Sequence, residues 1–95
     1  MCEKKIEVLK PIISVCGEKA QMLQAIEEQS ELTKALCKYI KQPTEEHKEA
    51  VSEEMADVML MLEQLLIIFD NEKECQQIVS SKIDRTYKRL GIEEK

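Results

Sequence analysis

Helix-breaking residues are few in this chain, and their spacing constrains the fold more than any other feature. The 95 residues contain two glycines and two prolines, at Pro11, Gly17, Pro43 and Gly91. The long segments between them are rich in Ala, Leu, Glu, Lys, Gln and Met, which favour helices. Aromatic residues make up 3% of the chain, which argues against a β-sandwich. The sequence therefore predicts an all-α protein.

Apolar residues at helical spacing predict two long helices, one medium helix and a weaker leading one. The leading helix covers residues 3–16 and is either kinked at Pro11 or begins near it. The others run from Glu18 to about Lys41, from about Glu45 to Phe69, and from about Glu72 to Leu90.

Local signals mark the ends of these helices. Thr44 is placed to cap the third helix, Asp70-Asn71 supplies the next break, and Gly91 follows the basic last turn of the fourth. Short connections make neighbouring helices antiparallel. We expect a single domain spanning residues 1–95, built as an antiparallel bundle of about four helices.

The overall charge limits the classes of partner. A net charge of −5 argues against binding to a nucleic-acid polymer or a membrane surface, both of which favour a basic face. A nucleotide ligand is still compatible, because a bound cation inverts the local field. The longest apolar runs, Val58 to Leu62 and Leu65 to Phe69, are too short to span a bilayer.

The cysteines predict a reducing compartment. Cys2, Cys16, Cys37 and Cys75 include no Cys-x-x-Cys pair, and His47 is the only histidine, so a zinc site is not indicated. The N-terminus lacks the apolar stretch of a signal peptide. We expect reduced, partly buried thiols and a cytoplasmic location.

Acidic residues interrupt the apolar faces of both central helices. At about 100° per residue, Glu54 points between Met61 and Leu65, at the centre of the third helix's apolar stripe, and Asp57 lies at its edge. On the second helix Glu28 lies inside the apolar arc, and Glu31 borders it. Two neighbouring helices thus each direct a pair of carboxylates, three residues apart, towards the interior.

Buried carboxylates need a compensating charge. A hard divalent cation is the simplest one, because carboxylate oxygens are its preferred ligands. The pattern predicts a metal site formed by Glu28, Glu31, Glu54 and Asp57. The alternative is that these acids pair with lysines or lie at a looser, wetter interface.

The fourth helix carries a basic face beside its apolar stripe. This face carries Lys82, Arg85 and Arg89. Arginine binds phosphate through two parallel hydrogen bonds. Binding of a polyphosphate is one interpretation. The other is a solvated basic face that balances acidic neighbours.

Both acidic motifs, in their helical setting, resemble a known family. Glu27-Glu28-Gln29-Ser30-Glu31, followed by Glu54-Met55-Ala56-Asp57, resembles the Glu-Glu-x-x-Glu … Glu-x-x-Asp signature of the MazG-like all-α nucleotide pyrophosphatases. The segments LQAIEEQSELTKAL and SEEMADVMLMLEQL look like that family's central helices, and SKIDRTYKRLGI resembles its basic closing helix. The resemblance covers roughly residues 18–92.

This resemblance implies magnesium-dependent hydrolysis of a nucleoside triphosphate to the monophosphate and pyrophosphate, with manganese as a possible substitute. The metal ligands would map to Glu28, Glu31, Glu54 and Asp57. Either Glu28 or Glu27 would accept the proton of the attacking water. Ser30 stands where many members carry glycine, and Thr86 stands near an asparagine of the family's last helix.

The third helix also predicts self-association. Leu60 and Ile67 lie opposite its core stripe, so this helix is apolar on nearly all sides and needs cover on nearly all sides. We expect a homodimer or a tetramer. A competing hypothesis is a non-enzymatic helical oligomerisation module. A ferritin-like di-metal oxidase is weaker, because Thr44 stands where the Glu-x-x-His motif would need its glutamate before His47.

Overall fold

The helix boundaries in the computed structural model follow the predicted breaks. The structure describes residues 3–93, with the side chains of residues 5–93, and this part of the chain is helical without a strand. The helices are α1 (Glu3–Cys16), α2 (Glu18–Lys41), α3 (Glu45–Phe69) and α4 (Glu72–Leu90). The all-α prediction with four helices is confirmed.

A single residue separates α1 from α2. Gly17 has φ 92°, and its backbone N–H donates to the carbonyl oxygen of Ile13 at 2.8 Å. Only glycine adopts such a φ without steric cost. Pro11 lies inside α1, so this helix does not begin near the proline. Pro11 and Glu7 are both exposed, so solvent can reach the carbonyl of Glu7 that proline leaves without a donor.

The end signals predicted for α3 and α4 at Thr44, Asp70-Asn71 and Gly91 all coincide with helix ends in the structure. The Thr44 hydroxyl accepts a hydrogen bond from the backbone N–H of His47 at 3.1 Å. Gly91 adopts φ 70°, and its N–H donates to the carbonyl of Lys88. Asn71 occupies the N-cap position of α4 but makes no capping hydrogen bond with its side chain.

An antiparallel hairpin of α2 and α3 forms the centre of the molecule. Gln21, early in α2, hydrogen bonds Gln64, late in α3, whereas Glu28 lies against Glu54 and Asp57. The residue numbers on α3 therefore decrease as those of their partners on α2 increase, so the two helices are antiparallel. α1 packs against both helices. The core is small, and its buried apolar side chains are Leu9, Ile13, Ala25, Ala35 and Met61.

The fourth helix lies outside this packing. None of the residues of α4 is buried. The radius of gyration is 16.5 Å, well above the value of about 12 Å typical of a compact domain of this length. Within one chain, α1, α2 and α3 pack together while α4 projects from them, so the expected four-helix bundle is not closed.

Several apolar residues that recur at helical spacing along α2 are exposed in the single chain. Leu23, Ile26 and Ile40 are 57%, 65% and 79% exposed. At about 100° per residue they form an apolar stripe on the side of α2 nearly opposite the face that packs against α3. The described part of one chain leaves this stripe uncovered.

The thiols are free and more exposed than expected. Cys16 and Cys37 are exposed and Cys75 is half-buried, while Cys2 lies outside the described residues. No helix within residues 3–93 has the length and apolarity required to span a membrane.

Candidate metal centre

Three of the predicted acidic ligands meet in the middle of the α2–α3 hairpin. Glu28 comes from α2, and Glu54 and Asp57 are one turn apart on α3. One carboxylate oxygen from each residue lies within 4.8 Å of the other two. All three residues are half-buried, so the cluster is reachable but only partly hydrated.

Glu54 is the least satisfied member of this cluster. Its Oε2 atom is buried and has no hydrogen-bond partner within the described part of the chain. Burial raises the pKa of Glu54, and the nearby charges of Asp57, Glu28, Glu31 and Glu53 raise it further. The Glu54 carboxylate therefore favours either a proton or a cation at this position.

The fourth predicted ligand, Glu31, is close by but directed elsewhere. Its Oε1 atom lies 3.4 Å from Nζ of Lys34, one turn further along α2. Its charge still contributes to the raised pKa of Glu54. Glu31 is thus adjacent to the cluster of Glu28, Glu54 and Asp57 without belonging to it.

Pairing with lysines does not explain the other three acids. Within residues 5–93, neither Glu28 nor Glu54 nor Asp57 forms an ion pair with Lys or Arg. The alternative of lysine-neutralised carboxylates therefore applies to Glu31 alone. The three converging oxygens and the unpartnered Oε2 of Glu54 suit a magnesium-type cation, which prefers carboxylate oxygens.

The candidate proton acceptors differ in position. Glu28 lies in the cluster, whereas Glu27 is exposed on the neighbouring side of α2. His47 lies outside the cluster, at the start of α3, where its Nδ1 atom hydrogen bonds the carbonyl of Gln42 at 2.7 Å. The histidine that a ferritin-like site requires is therefore absent from the cluster.

The basic residues of α4 form one surface, as predicted. Lys82, Arg85 and Arg89 line a single depression of about 390 Å³ together with Thr86. None of the three basic residues forms an ion pair with another described residue. Because α4 projects from the packed helices, this basic face does not close over the acidic cluster of its own chain.

A large surface cavity lies elsewhere. It measures about 710 Å³ and lies where α1 and the end of α3 meet the start of α4, next to Ile6, Lys10 and Asn71. The acidic cluster does not line this cavity, so the cavity is not part of the candidate metal centre.

Sequence reasoning missed a buried polar pair two helical turns from the acids. Gln21 is 8% exposed and Gln64 is 2% exposed, and Nε2 of Gln21 donates to Oε1 of Gln64 at 2.7 Å. A signal was available in the spacing. Gln21 precedes Glu28 by seven residues, and Gln64 follows Asp57 by seven, which places each glutamine on the same helix face as an acid.

Comparison of the chain with known protein families, with curated proteins and with solved structures finds no match. Any functional assignment therefore rests on the motifs and on the geometry of the hairpin.

Proposed function

We propose that this protein is a magnesium-dependent nucleoside triphosphate pyrophosphohydrolase, converting a (d)NTP to the (d)NMP and pyrophosphate. One observation carries the proposal. The two helices whose motifs resemble the MazG-like signature bring Glu28, Glu54 and Asp57 together, and one oxygen of Glu54 is buried without a partner. Such an arrangement is costly for stability unless a cation or a proton compensates it.

Glu28, Glu54 and Asp57 would hold Mg²⁺, with Mn²⁺ as a substitute, and Glu31 would join them on leaving Lys34. Bound magnesium neutralises charge on phosphate oxygens and promotes ionisation of a water molecule. The protein's own part is to position the triphosphate and to hold the proton released by the attacking water. Glu28 and Glu27 are the two candidates for that proton.

The basic face of Lys82, Arg85 and Arg89 supplies the complementary charge for a triphosphate. It does not cover the acids of its own chain, so we propose that α4 reaches the acidic cluster of a second copy. The exposed apolar residues Ile83 and Tyr87 of α4 and the uncovered stripe of α2 give the second copy a surface to bury. This agrees with the homodimer or tetramer predicted from the sequence.

A second candidate is a non-enzymatic helical oligomerisation module. The same exposed stripes favour it, because they require a partner whether or not the protein is an enzyme. The two hypotheses differ at Glu54. A module gains nothing from a buried carboxylate oxygen without a partner, whereas a metal site depends on one.

The deciding experiment is an assay of pyrophosphate release from a panel of canonical and modified (d)NTPs with Mg²⁺ or Mn²⁺. The wild type should turn over at least one nucleotide, and Glu54→Gln should not. Glu49→Gln is the matched control, because Glu49 is an exposed acid on the same helix. No turnover and no metal-dependent nucleotide binding across the panel would rule out the enzyme hypothesis and favour the oligomerisation module.

A further inference from the structure

The buried pair of Gln21 and Gln64 is an unusual element of so small a core. Gln64 is the most deeply buried large side chain of the described residues, and Gln21 is its partner across the hairpin. Apolar side chains occupy most other buried positions. Two amides buried between packed helices therefore call for an explanation beyond packing.

Hydrogen bonding in this pair is only partly satisfied. Nε2 of Gln21 donates to Oε1 of Gln64 at 2.7 Å, which is a good hydrogen bond. Among the described residues, Nε2 of Gln64 donates only to Sδ of Met61, at 3.7 Å, and a thioether is a weak acceptor. Two leucines of similar volume would fill the space without unsatisfied amide groups, so stability alone does not account for the pair.

The glutamine pair lies on the same helix faces as the acidic cluster. Gln21 and Glu28 lie on one face of α2, and Gln64 and Asp57 lie on one face of α3, each two turns apart. The pair is therefore about 10 Å along the hairpin from the acids. At the opposite end, residues 42–44 join the two helices covalently. The acids lie between the loop and the glutamines.

The side chains between the pair and the acids do not define the helix offset by themselves. Ala25 and Met61 are buried there, and apart from the weak hydrogen bond from Gln64 to the Met61 thioether they offer only apolar packing, which has no preferred direction. Methionine in particular adapts its shape to its surroundings. A hydrogen bond has a preferred distance and angle, and a buried polar pair on a helical seam is a known means of setting register.

We infer that the Gln21–Gln64 hydrogen bond sets the rotation and axial offset of α2 against α3, and so positions Glu28 relative to Glu54 and Asp57 for metal binding. The part of this inference that concerns metal binding rests on the proposed function. The part that concerns the offset of α2 against α3 does not. The two glutamines are positioning residues and do not contact the metal. Groups that hydrogen bond metal ligands directly change metal affinity by about 10- to 100-fold when removed. The glutamine pair acts instead through the placement of the two helices, so we expect an effect near the lower end of that range.

The test compares Gln21→Leu, Gln64→Leu and the double variant with wild type. Each single variant leaves one buried amide unpaired, so it should melt at a lower temperature and bind Mn²⁺ more weakly. The double variant removes both amides, so its melting temperature should return to the wild-type value or exceed it. Its Mn²⁺ affinity should remain lower than that of wild type by about tenfold or more.

Ile13→Ala is the control for loss of stability. Ile13 is buried and belongs to α1, so it is on neither helix of the hairpin, and this variant should melt lower and still bind Mn²⁺ as wild type does. Electron paramagnetic resonance of bound Mn²⁺ gives both the affinity and, from the line shape, the regularity of the ligand geometry. A double variant with wild-type affinity and line shape would overturn the inference.

A second readout needs no metal. Nuclear Overhauser contacts between α2 and α3 should be shifted or multiple in the metal-free double variant, and single in wild type. An unchanged contact pattern would overturn the inference even if Mn²⁺ binding fell. If wild type shows a single set of contacts between α2 and α3 but binds no Mn²⁺, the proposed function is overturned. The contacts of the double variant would still decide whether the glutamine pair sets the register of the two helices.

Discussion

A carboxylate oxygen of Glu28 on α2 lies within 4.8 Å of a carboxylate oxygen of Glu54 on α3, and neither residue has a basic partner among the described side chains. Each residue occupies the face that its helix turns towards the other. The raised pKa of Glu54 follows from burial first and from its acidic neighbours second.

Replacing Glu54 by Gln should abolish turnover without destabilising the metal-free protein. The substitution keeps the shape of the side chain and removes a charge that burial and repulsion disfavour. In chelator, Glu54→Gln should melt at the wild-type temperature or above it. Added Mg²⁺ should raise the melting temperature of wild type through binding linkage, and that of the variant much less.

Calorimetry with and without Mg²⁺ checks this prediction, with Glu49→Gln as the control. A Glu54→Gln protein that melts well below wild type in chelator, with an undiminished response to Mg²⁺, would mean that Glu54 is a structural residue and that the site lies elsewhere.

The stability of the metal-free protein should depend on pH through Glu54. A pKa raised in the folded state means that folding favours the protonated form, so ionisation of Glu54 costs stability at neutral pH. This cost disappears as the pH falls through the folded pKa towards the ordinary value of 4.5. Urea unfolding in chelator should show that the stability deficit of wild type relative to Glu54→Gln shrinks over that range. A deficit that stays constant with pH would contradict the prediction.

Lys34→Met should strengthen Mn²⁺ binding. Lys34 holds Glu31 at 3.4 Å, and both side chains are partly exposed, so the pair is weak. Releasing Glu31 to the cluster should increase affinity by about two- to fivefold, the size expected for loss of an exposed ion pair. Lys38→Met removes a similar charge one turn further along α2 and leaves Glu31 paired. Equal effects of the two substitutions would mean that Glu31 is not a ligand.

Self-association should depend on the uncovered apolar surfaces. Leu60 of α3 is 46% exposed and Ile83 of α4 is 50% exposed. Light scattering at micromolar concentration should show a dimer or tetramer for wild type. Leu60→Asp or Ile83→Asp should shift it towards monomer, because a charge buried at an interface is unfavourable. Ser52→Asp, on an exposed polar position of α3, is the control. A stable wild-type monomer would contradict the proposed assembly.

Mixing two inactive variants should restore part of the activity. Glu54→Gln retains the basic face of α4, whereas Arg85→Gln/Arg89→Gln retains the acidic cluster. If α4 serves the site of a second copy, a mixed oligomer contains one site with both elements intact. Pyrophosphate release from the refolded mixture, compared with each variant alone, measures this. No recovery in confirmed mixed oligomers would place the basic face and the acids of each site in the same chain.

The helix boundaries could be predicted from the sequence because local chemistry sets them. Gly17, Thr44 and Gly91 act on their own backbone neighbourhood, through φ and capping, so their effects do not depend on distant parts of the chain. The same holds for Glu54 in its apolar stripe, because helical periodicity alone fixes which residues share a face. The convergence of Glu28, Glu54 and Asp57 followed from two such faces on neighbouring helices.

Only the tertiary structure decided which helix faces pack against each other. Periodicity shows that Leu23, Ile26 and Ile40 recur along one side of α2, yet it does not say which partner covers that side, and within the described part of one chain none does. The turn of Glu31 towards Lys34 depends on a rotamer, and the Gln21–Gln64 pair depends on the offset of two helices. The position of α4 depends on the turn at Asp70 and Asn71, where Asp70 has φ 49°. The sequence alone determined the helices and the faces they present, because those are local; only packing decided which faces meet.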